Sequence, residues 1–179
     1  DKDGNEVEVT SVSEVGEDNP YYSLDVEDID TYFTSEILVH NIPPRKCFTG
    51  DTMITLADGT YENIQKIRPG TEIKTYDVET GRLQNSVVGE ITKIRHDNLV
   101  KYKFSDNTEI KATDDHPFYV GGDYKAPLEV GDEVLNDELN KVNVVKVEKL
   151  DLHEITYNID NTNNGKNYFA NRVLVSDES

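Results

Sequence analysis

Residues 86–113, SVVGEITKIRHDNLVKYKFSDNTEIKAT, alternate apolar and polar side chains over most of their length. A period of two puts one set of side chains on each face of an extended chain, which is the pattern of a half-buried strand and excludes an amphipathic helix. The pattern breaks at His96-Asp97-Asn98 and Ser105-Asp106-Asn107, residue types that favour turns. A β-meander is expected here. MITLADGTYENI reads as a hairpin around Asp58-Gly59, TEIKTYDV as a strand, and ETGRL as a turn around Gly81. IQKIRPG has room for one helical turn before Pro69-Gly70, and alternation resumes in KVNVVKVEKLDLHEITYNID. The fold class expected is all-β, built of short strands and hairpins.

Charge divides the chain unevenly. Residues 1–46 hold 12 Asp and Glu against 3 Lys and Arg, half of the net charge of −18 in a quarter of the 179 residues. Such acidity speaks against nucleic acid and anionic membrane as partners, because phosphate binding needs a basic surface. No apolar run approaches the roughly 20 residues of a membrane span. The lone Cys47 excludes an internal disulfide and a multi-cysteine zinc site, and His40, His96, His116 and His153 lack metal-ligand spacing. Neither a metal nor a cofactor is expected.

One segment occurs twice. YSLDVEDIDTYFTSEILVHN (22–41) aligns with YNIDNTNNGKNYFANRVLVSD (157–177), with one extra residue in the second copy. Tyr32-Phe33 then matches Tyr168-Phe169, Leu38-Val39 matches Leu174-Val175, and His40-Asn41 stands opposite Ser176-Asp177. A valine-alternating stretch precedes each copy, VEVTSVSEV and VNVVKVEKL, yet there is only one intervening body, Cys47 to about Asn140.

Three places carry side chains suited to chemistry. Cys47 follows the Pro-stiffened connector IPPRK, placed to attack the carbonyl of Lys46 in an N-to-S acyl shift. A single cysteine is more often a small buried apolar residue, and an ordinary thiol is only slightly ionised at neutral pH, so it needs local activation. In KATDDHPFYV, His116 could protonate a leaving amide nitrogen and Thr113 could hydrogen-bond a scissile peptide, although Thr-Asp-Asp-His-Pro is also good surface-turn chemistry. Asp114 and Asp115 read as solvated surface carboxylates. His40-Asn41 is a dipeptide suited to self-cleavage after the Asn; taken alone it is an ordinary loop dipeptide, and its place at the end of the repeated tail favours the functional reading.

CFTGDTMITLADGTYENIQKIRPGTEIKTYD resembles the opening block of Hint domains, the fold shared by inteins, Hedgehog autoprocessing domains and bacterial intein-like domains. TDDH resembles that family's T-x-x-H block, and YNIDNTNNGKNYFANRVLVSD resembles its two closing blocks. The resemblance covers Cys47 to Asp177 and is nearest to bacterial intein-like or phage-borne mini-intein domains. It implies a horseshoe-like β fold, with Cys47 as nucleophile, Thr113 and His116 activating the Lys46–Cys47 bond, and the closing strand beside them. The chain's own flanking polypeptide is the implied substrate, and water or a small thiol the implied acceptor.

The departures direct the expectation. Splicing-type members end in His-Asn, whereas Ser176-Asp177 stands here, and a carboxylate is a poor nucleophile for the ring closure that a carboxamide performs. Glu178 offers no acceptor, and the assisting histidine of the closing block is Lys166, or Asp30 in the first copy. Single-turnover N-terminal autocleavage is therefore expected, and splicing is not. The first copy keeps His40-Asn41 before Ile42, which allows cleavage after Asn41 without splicing. The expected division is 1–41 as the tail of an upstream Hint-like unit, 42–46 as linker, 47–177 as the Hint domain and 178–179 as downstream flank. Two further arrangements compete: a Hint fold that has lost its chemistry and serves as a spacer in a larger phage or bacterial assembly, and a permuted domain in which 1–41 completes the body 47–140.

Overall fold

The computed structural model describes residues 31–34, 37–40 and 46–177. The chain forms two units, Asp1–Arg45 and Lys46–Ser179. In the first, β1 (Thr31–Thr34) and β2 (Ile37–His40) form an antiparallel hairpin. Asn41, Ile42 and the rest of the linker through Arg45 lie outside the described residues.

The second unit begins with β3 (Phe48–Thr49), β4 (Met53–Thr55) and β5 (Tyr61–Asn63). The β4–β5 hairpin turns at Asp58-Gly59 as expected, with Gly59 at φ +85°, a left-handed conformation that glycine adopts without a Cβ penalty. One 3-10 turn, Ile64–Lys66, follows. β6 (Glu72–Asp77) and β7 (Arg82–Val87) make a separate two-stranded ribbon around Gly81. Next come β8 (Glu90–His96), β9 (Leu99–Phe104), β10 (Glu109–Thr113), β11 (Phe118–Val120), β12 (Asp123–Lys125) and β13 (Glu133–Leu135). The chain closes with β14 (Lys141–Lys149), β15 (Glu154–Asp160), β16 (Asn167–Ala170) and β17 (Val173–Ser176).

All pairings are antiparallel, and thirteen strands join in one sheet in the order β5-β4-β16-β17-β11-β13-β14-β9-β10-β3-β15-β8, with β12 attached to β11. The all-β expectation is met. Among the described residues no helix is long and apolar enough to cross a membrane.

The meander is corrected in one respect. β9 and β10 pair as neighbours, but β8 does not pair with β9; it lies at the sheet's end against β15, from Glu154↔His96 to Asp160↔Glu90. Alternation sets which face a side chain takes but not which strand lies alongside. β8 is half-exposed along its whole length, as an end strand should be, whereas Leu99, Val100, Tyr102 and Phe104 of β9 are buried.

Phe48, Tyr102, Phe104, Phe118 and Tyr168 centre the core, with Ile54, Ile64, Ile73, Ile110 and Val175 packed around them. The closing segment docks on its own body: β16 pairs with β4, and β17 with β11. Its hairpin turns through Asn171 and Arg172, both at positive φ, which suits the right-handed twist of the strands. The Asn171 amide locks this turn down, accepting from the Met53 N–H (2.7 Å) and donating to the Glu109 carbonyl (2.7 Å).

The repeat is visible in the backbone. β1–β2 pairs Thr31↔His40, Tyr32↔Val39, Phe33↔Leu38 and Thr34↔Ile37. β16–β17 pairs Asn167↔Ser176, Tyr168↔Val175, Phe169↔Leu174 and Ala170↔Val173. Under the sequence alignment the two registers are the same, so the likeness extends beyond residue types to the hairpin each copy makes.

Candidate functional site

Cys47 immediately precedes β3, a strand of only two residues held from both sides: Phe48 is paired with Ala112 of β10 and with Tyr157 of β15. Its position is therefore set by distant segments. Thr113, the last residue of β10, clamps it twice. The Thr113 N–H donates to the Cys47 carbonyl (2.9 Å), and the Cys47 N–H donates to Thr113 Oγ1 (3.1 Å). The second bond involves the nitrogen of the Lys46–Cys47 peptide itself. Cys47 and Thr113 are fully buried.

His116 is also fully buried, which overturns the surface-turn alternative for Thr-Asp-Asp-His-Pro. The segment does turn, with the His116 N–H donating to the Thr113 carbonyl (3.2 Å), and Asn98 secures it by donating from Nδ2 to Asp114 Oδ1 (2.8 Å). Asp114 and Asp115 are half-buried, and Asp115 Oδ1 is enclosed, so they too are not the solvated pair expected. The rings of Phe48 and Phe118 cover the imidazole, with centroids at 4.0 and 6.0 Å. Desolvation pushes its pKa down to about 3; the Lys46 backbone pulls the other way, the Lys46 charge adds to the lowering, and the Ser176 backbone opposes it least. Neither ring nitrogen reaches hydrogen-bond geometry with these backbone groups. The imidazole is thus neutral at physiological pH and adjoins the backbone at both ends of the domain, Lys46 and Ser176.

Main-chain bonds hold the far end there. The Ser176 N–H donates to the Pro117 carbonyl (3.1 Å), and the Asp177 N–H to the Lys166 carbonyl (3.1 Å). Asp177 is buried, and its Oδ2 accepts from Thr162 N–H (2.9 Å) and Thr162 Oγ1 (2.5 Å). A cleft of about 410 Å³, lined in part by Val78, Gln84, Tyr124, Gly165 and Lys166, opens beside this end.

The structure therefore brings together Lys46, Cys47, Thr113, His116 and Asp177 among the residues singled out in the sequence. His40 ends β2 in the other unit. Among the described residues no group of three or more His, Cys, Asp or Glu could hold a metal ion.

Sequence reasoning missed a polar chain beneath the cysteine. The Tyr168 hydroxyl donates to Asn158 Oδ1 (2.6 Å), Asn158 Nδ2 donates to Asp160 Oδ1 (2.8 Å), and Thr92 donates to Asp160 Oδ2. Burial raises the Tyr168 pKa well above its ordinary value, and negative charge on Cys47, Asp160 and Asp177 acts in the same direction. The signal lay in ITYNID, where Thr156, Asn158 and Asp160 recur at every second position. A single face bearing three polar residues looks solvent-facing, yet all three are buried here, as a polar network beside a site can be.

A family model described as Vint, a Hint-domain, matches residues 46–161. The chain belongs to the Hint-domain family. The fold is accordingly that of self-processing domains. Among solved structures, the Hint unit is similar to the bacterial intein-like domain from Clostridium thermocellum, at 29% identity and a TM-score of 0.66, covering 74% of this chain and 99% of that one. It is also similar in fold to a DnaB intein from Synechocystis, at 20% identity and a TM-score of 0.68, covering 74% and 98%. The gp41-1 intein shares 19% identity and a TM-score of 0.63, with 74% and 98% covered. No curated protein matches the sequence.

Proposed function

We propose that residues 47–177 cut their own chain at Lys46–Cys47 through an N-to-S acyl shift. The observation that carries this reading is the double clamp of Cys47 by Thr113 beside a buried, neutral His116 that adjoins the Lys46 backbone. The Cys47 sulfur attacks the Lys46 carbonyl carbon while His116 takes the thiol proton, which its neutral form can accept. The carbon–nitrogen bond then breaks as His116 delivers that proton to the Cys47 nitrogen, leaving a thioester to sulfur and a free amine. Thr113 Oγ1 fixes the departing nitrogen from the outset. Water or a small thiol resolves the thioester, regenerating the Cys47 thiol and releasing the upstream segment. The substrate is the flanking polypeptide, as in the inteins that the Hint unit resembles. Ser176-Asp177 provides no carboxamide for ring closure, so cleavage is one-ended.

The test is to incubate the purified chain at neutral pH with and without dithiothreitol and to take intact masses. A fragment beginning at Cys47, faster with thiol and absent in Cys47→Ala, is the expected result. No fragment, or equal cleavage in Cys47→Ala, overturns the reading and leaves the fold as a structural module.

Residues 1–41 are, in the same reading, the closing tail of a second Hint-like unit, joined by linker 42–46. The shared register of the β1–β2 and β16–β17 hairpins supports this assignment. His40-Asn41 then marks a site of cleavage after Asn41, with Ile42 offering no acceptor. A fragment beginning at Ile42 that disappears in Asn41→Ala is the expected observation; its absence when an upstream Hint body is supplied refutes it.

A further inference from the structure

We propose that Asp177 has exchanged the nucleophilic role of its position for a positioning one: tied to Thr162, it fixes the Ser176 wall of the His116 slot and keeps that slot dry. The inference rests on the proposed acyl shift only for its consequence, not for its geometry.

A carboxylate can only accept hydrogen bonds, and burying one without partners is costly. Thr162 supplies two donors to the same oxygen, its backbone N–H at 2.9 Å and its hydroxyl at 2.5 Å. The backbone of Asp177 is held by the same loop, through the Lys166 carbonyl at 3.1 Å. Loop 161–166 thus grips Asp177 by side chain and main chain together. The preceding residue, Ser176, bonds to the Pro117 carbonyl, next in the chain to His116, and its backbone adjoins the imidazole. Hydrogen bonds and chain neighbours thus lead from Thr162 through Asp177, Ser176 and Pro117 to His116.

The pairing also accounts for the residue type. Hydrogen bonds to a carboxylate are stronger than those to a neutral amide oxygen, so an acid gains more from the same two donors. Where cleavage at the far end is not used, Asp177 holds the closing strand more firmly than Asn can, and the N-terminal site benefits through His116.

The charged group that acts on His116 is the Lys46 ammonium, and Phe48 and Phe118 contribute rings; Asp114 and Asp115 belong to its own turn, and Asp177 follows Ser176 in the chain. Thr162→Val removes one donor and leaves every one of those charges in place. If the tie keeps water out, loosening it lets water reach the ring and moves the His116 midpoint from about 3 back towards 6.5.

The experiment follows the His116 ring protons by NMR against pH in the full chain carrying Cys47→Ala, so that no cleavage intervenes. In that parent His116 stays neutral down to about pH 4. Thr162→Val raises the midpoint by about one pH unit or more, Thr162→Ser restores the parent value, and Asp177→Ala exceeds Thr162→Val. A folded Thr162→Val protein with an unmoved midpoint overturns the proposal, and so does an equal shift in Thr162→Ser. Because the readout is a titration in an uncleavable chain, failure of the acyl-shift reading leaves it intact, and its own failure leaves the mass measurement unaffected.

Discussion

Acidification should unfold this domain through His116 before most of its carboxylates contribute. The unfolded chain protonates this histidine near 6.5, whereas desolvation holds the folded-state value near 3. Between those values the unfolded chain binds one more proton than the folded one, so stability rises with pH across the window and is lost as pH falls. Each pH unit is equivalent to about 1.4 kcal/mol, giving roughly 3 kcal/mol lost between pH 6.5 and 4, and about 5 kcal/mol by pH 3. Against the ~5–15 kcal/mol typical of a domain this is a large fraction. The assay is urea unfolding followed by circular dichroism at pH 7, 6, 5 and 4, on the Cys47→Ala chain with and without His116→Gln. The glutamine variant is less stable at pH 7 because its neighbours Phe48 and Phe118 are packed for a ring. It has no proton to gain, however, so the gap between the two proteins narrows by about 3 kcal/mol on going to pH 4. Carboxylates with lowered pKa, such as Asp51 and Asp132, titrate in both proteins and cancel. A gap that stays constant with pH refutes the assignment of His116 as a buried neutral base.

Three other outcomes are expected. Thr113→Val leaves the Cys47 N–H buried without its acceptor, at a cost of about 1–3 kcal/mol, and slows the appearance of the Cys47-initiated fragment by roughly tenfold or more in mass assays, while Thr113→Ser retains most of the rate. Asp137→Ala removes the acceptor of Arg172 Nε (3.0 Å), Tyr61 OH (3.0 Å) and Thr55 Oγ1 (3.2 Å), leaving Arg172 its Glu138 pair, and lowers stability in urea by about 1–3 kcal/mol. Ser176→His with Asp177→Asn, in the Cys47→Ala chain, yields on incubation a product ending at residue 177; an intact mass after prolonged incubation shows that the reversal of residue types is insufficient.

The strands were legible because their signal is local. Period-two alternation and Asp-Gly or Asn-rich breaks predicted β4, β5, β6, β9, β10 and β14 without reference to anything distant. Pairing partners were not, since β8 finds β15 across the whole second half of the body and nothing in its own residues names that strand. The candidate site divides the same way. Cys47, Thr113 and His116 were recognisable as types in order, but Thr-Asp-Asp-His-Pro looks like surface until Phe48, Phe118 and Ser176 close over it. Asn158, Asp160 and Thr162 were invisible for a related reason: their polarity suggests solvent, and only the fold shows that their partners are Tyr168, Thr92 and Asp177.

The described partners of the Cys47 backbone come from far along the chain, and under the proposed acyl shift this bears on when the chain can cut itself. β3 is too short to order its own nucleophile. It is held by Ala112 and Tyr157, clamped by Thr113, and roofed by an imidazole whose own enclosure is completed only at Ser176. An isolated opening segment therefore has an ordinary thiol in water with no base beside it, and no clamp on the Lys46–Cys47 peptide. In the proposed acyl shift, activation requires β10, β15 and β17 to be in place together, which gates that chemistry by completion of the fold. The burial that keeps His116 neutral is the same burial that acid opposes, which ties the proposed reactivity of the junction to the integrity of the closing strand.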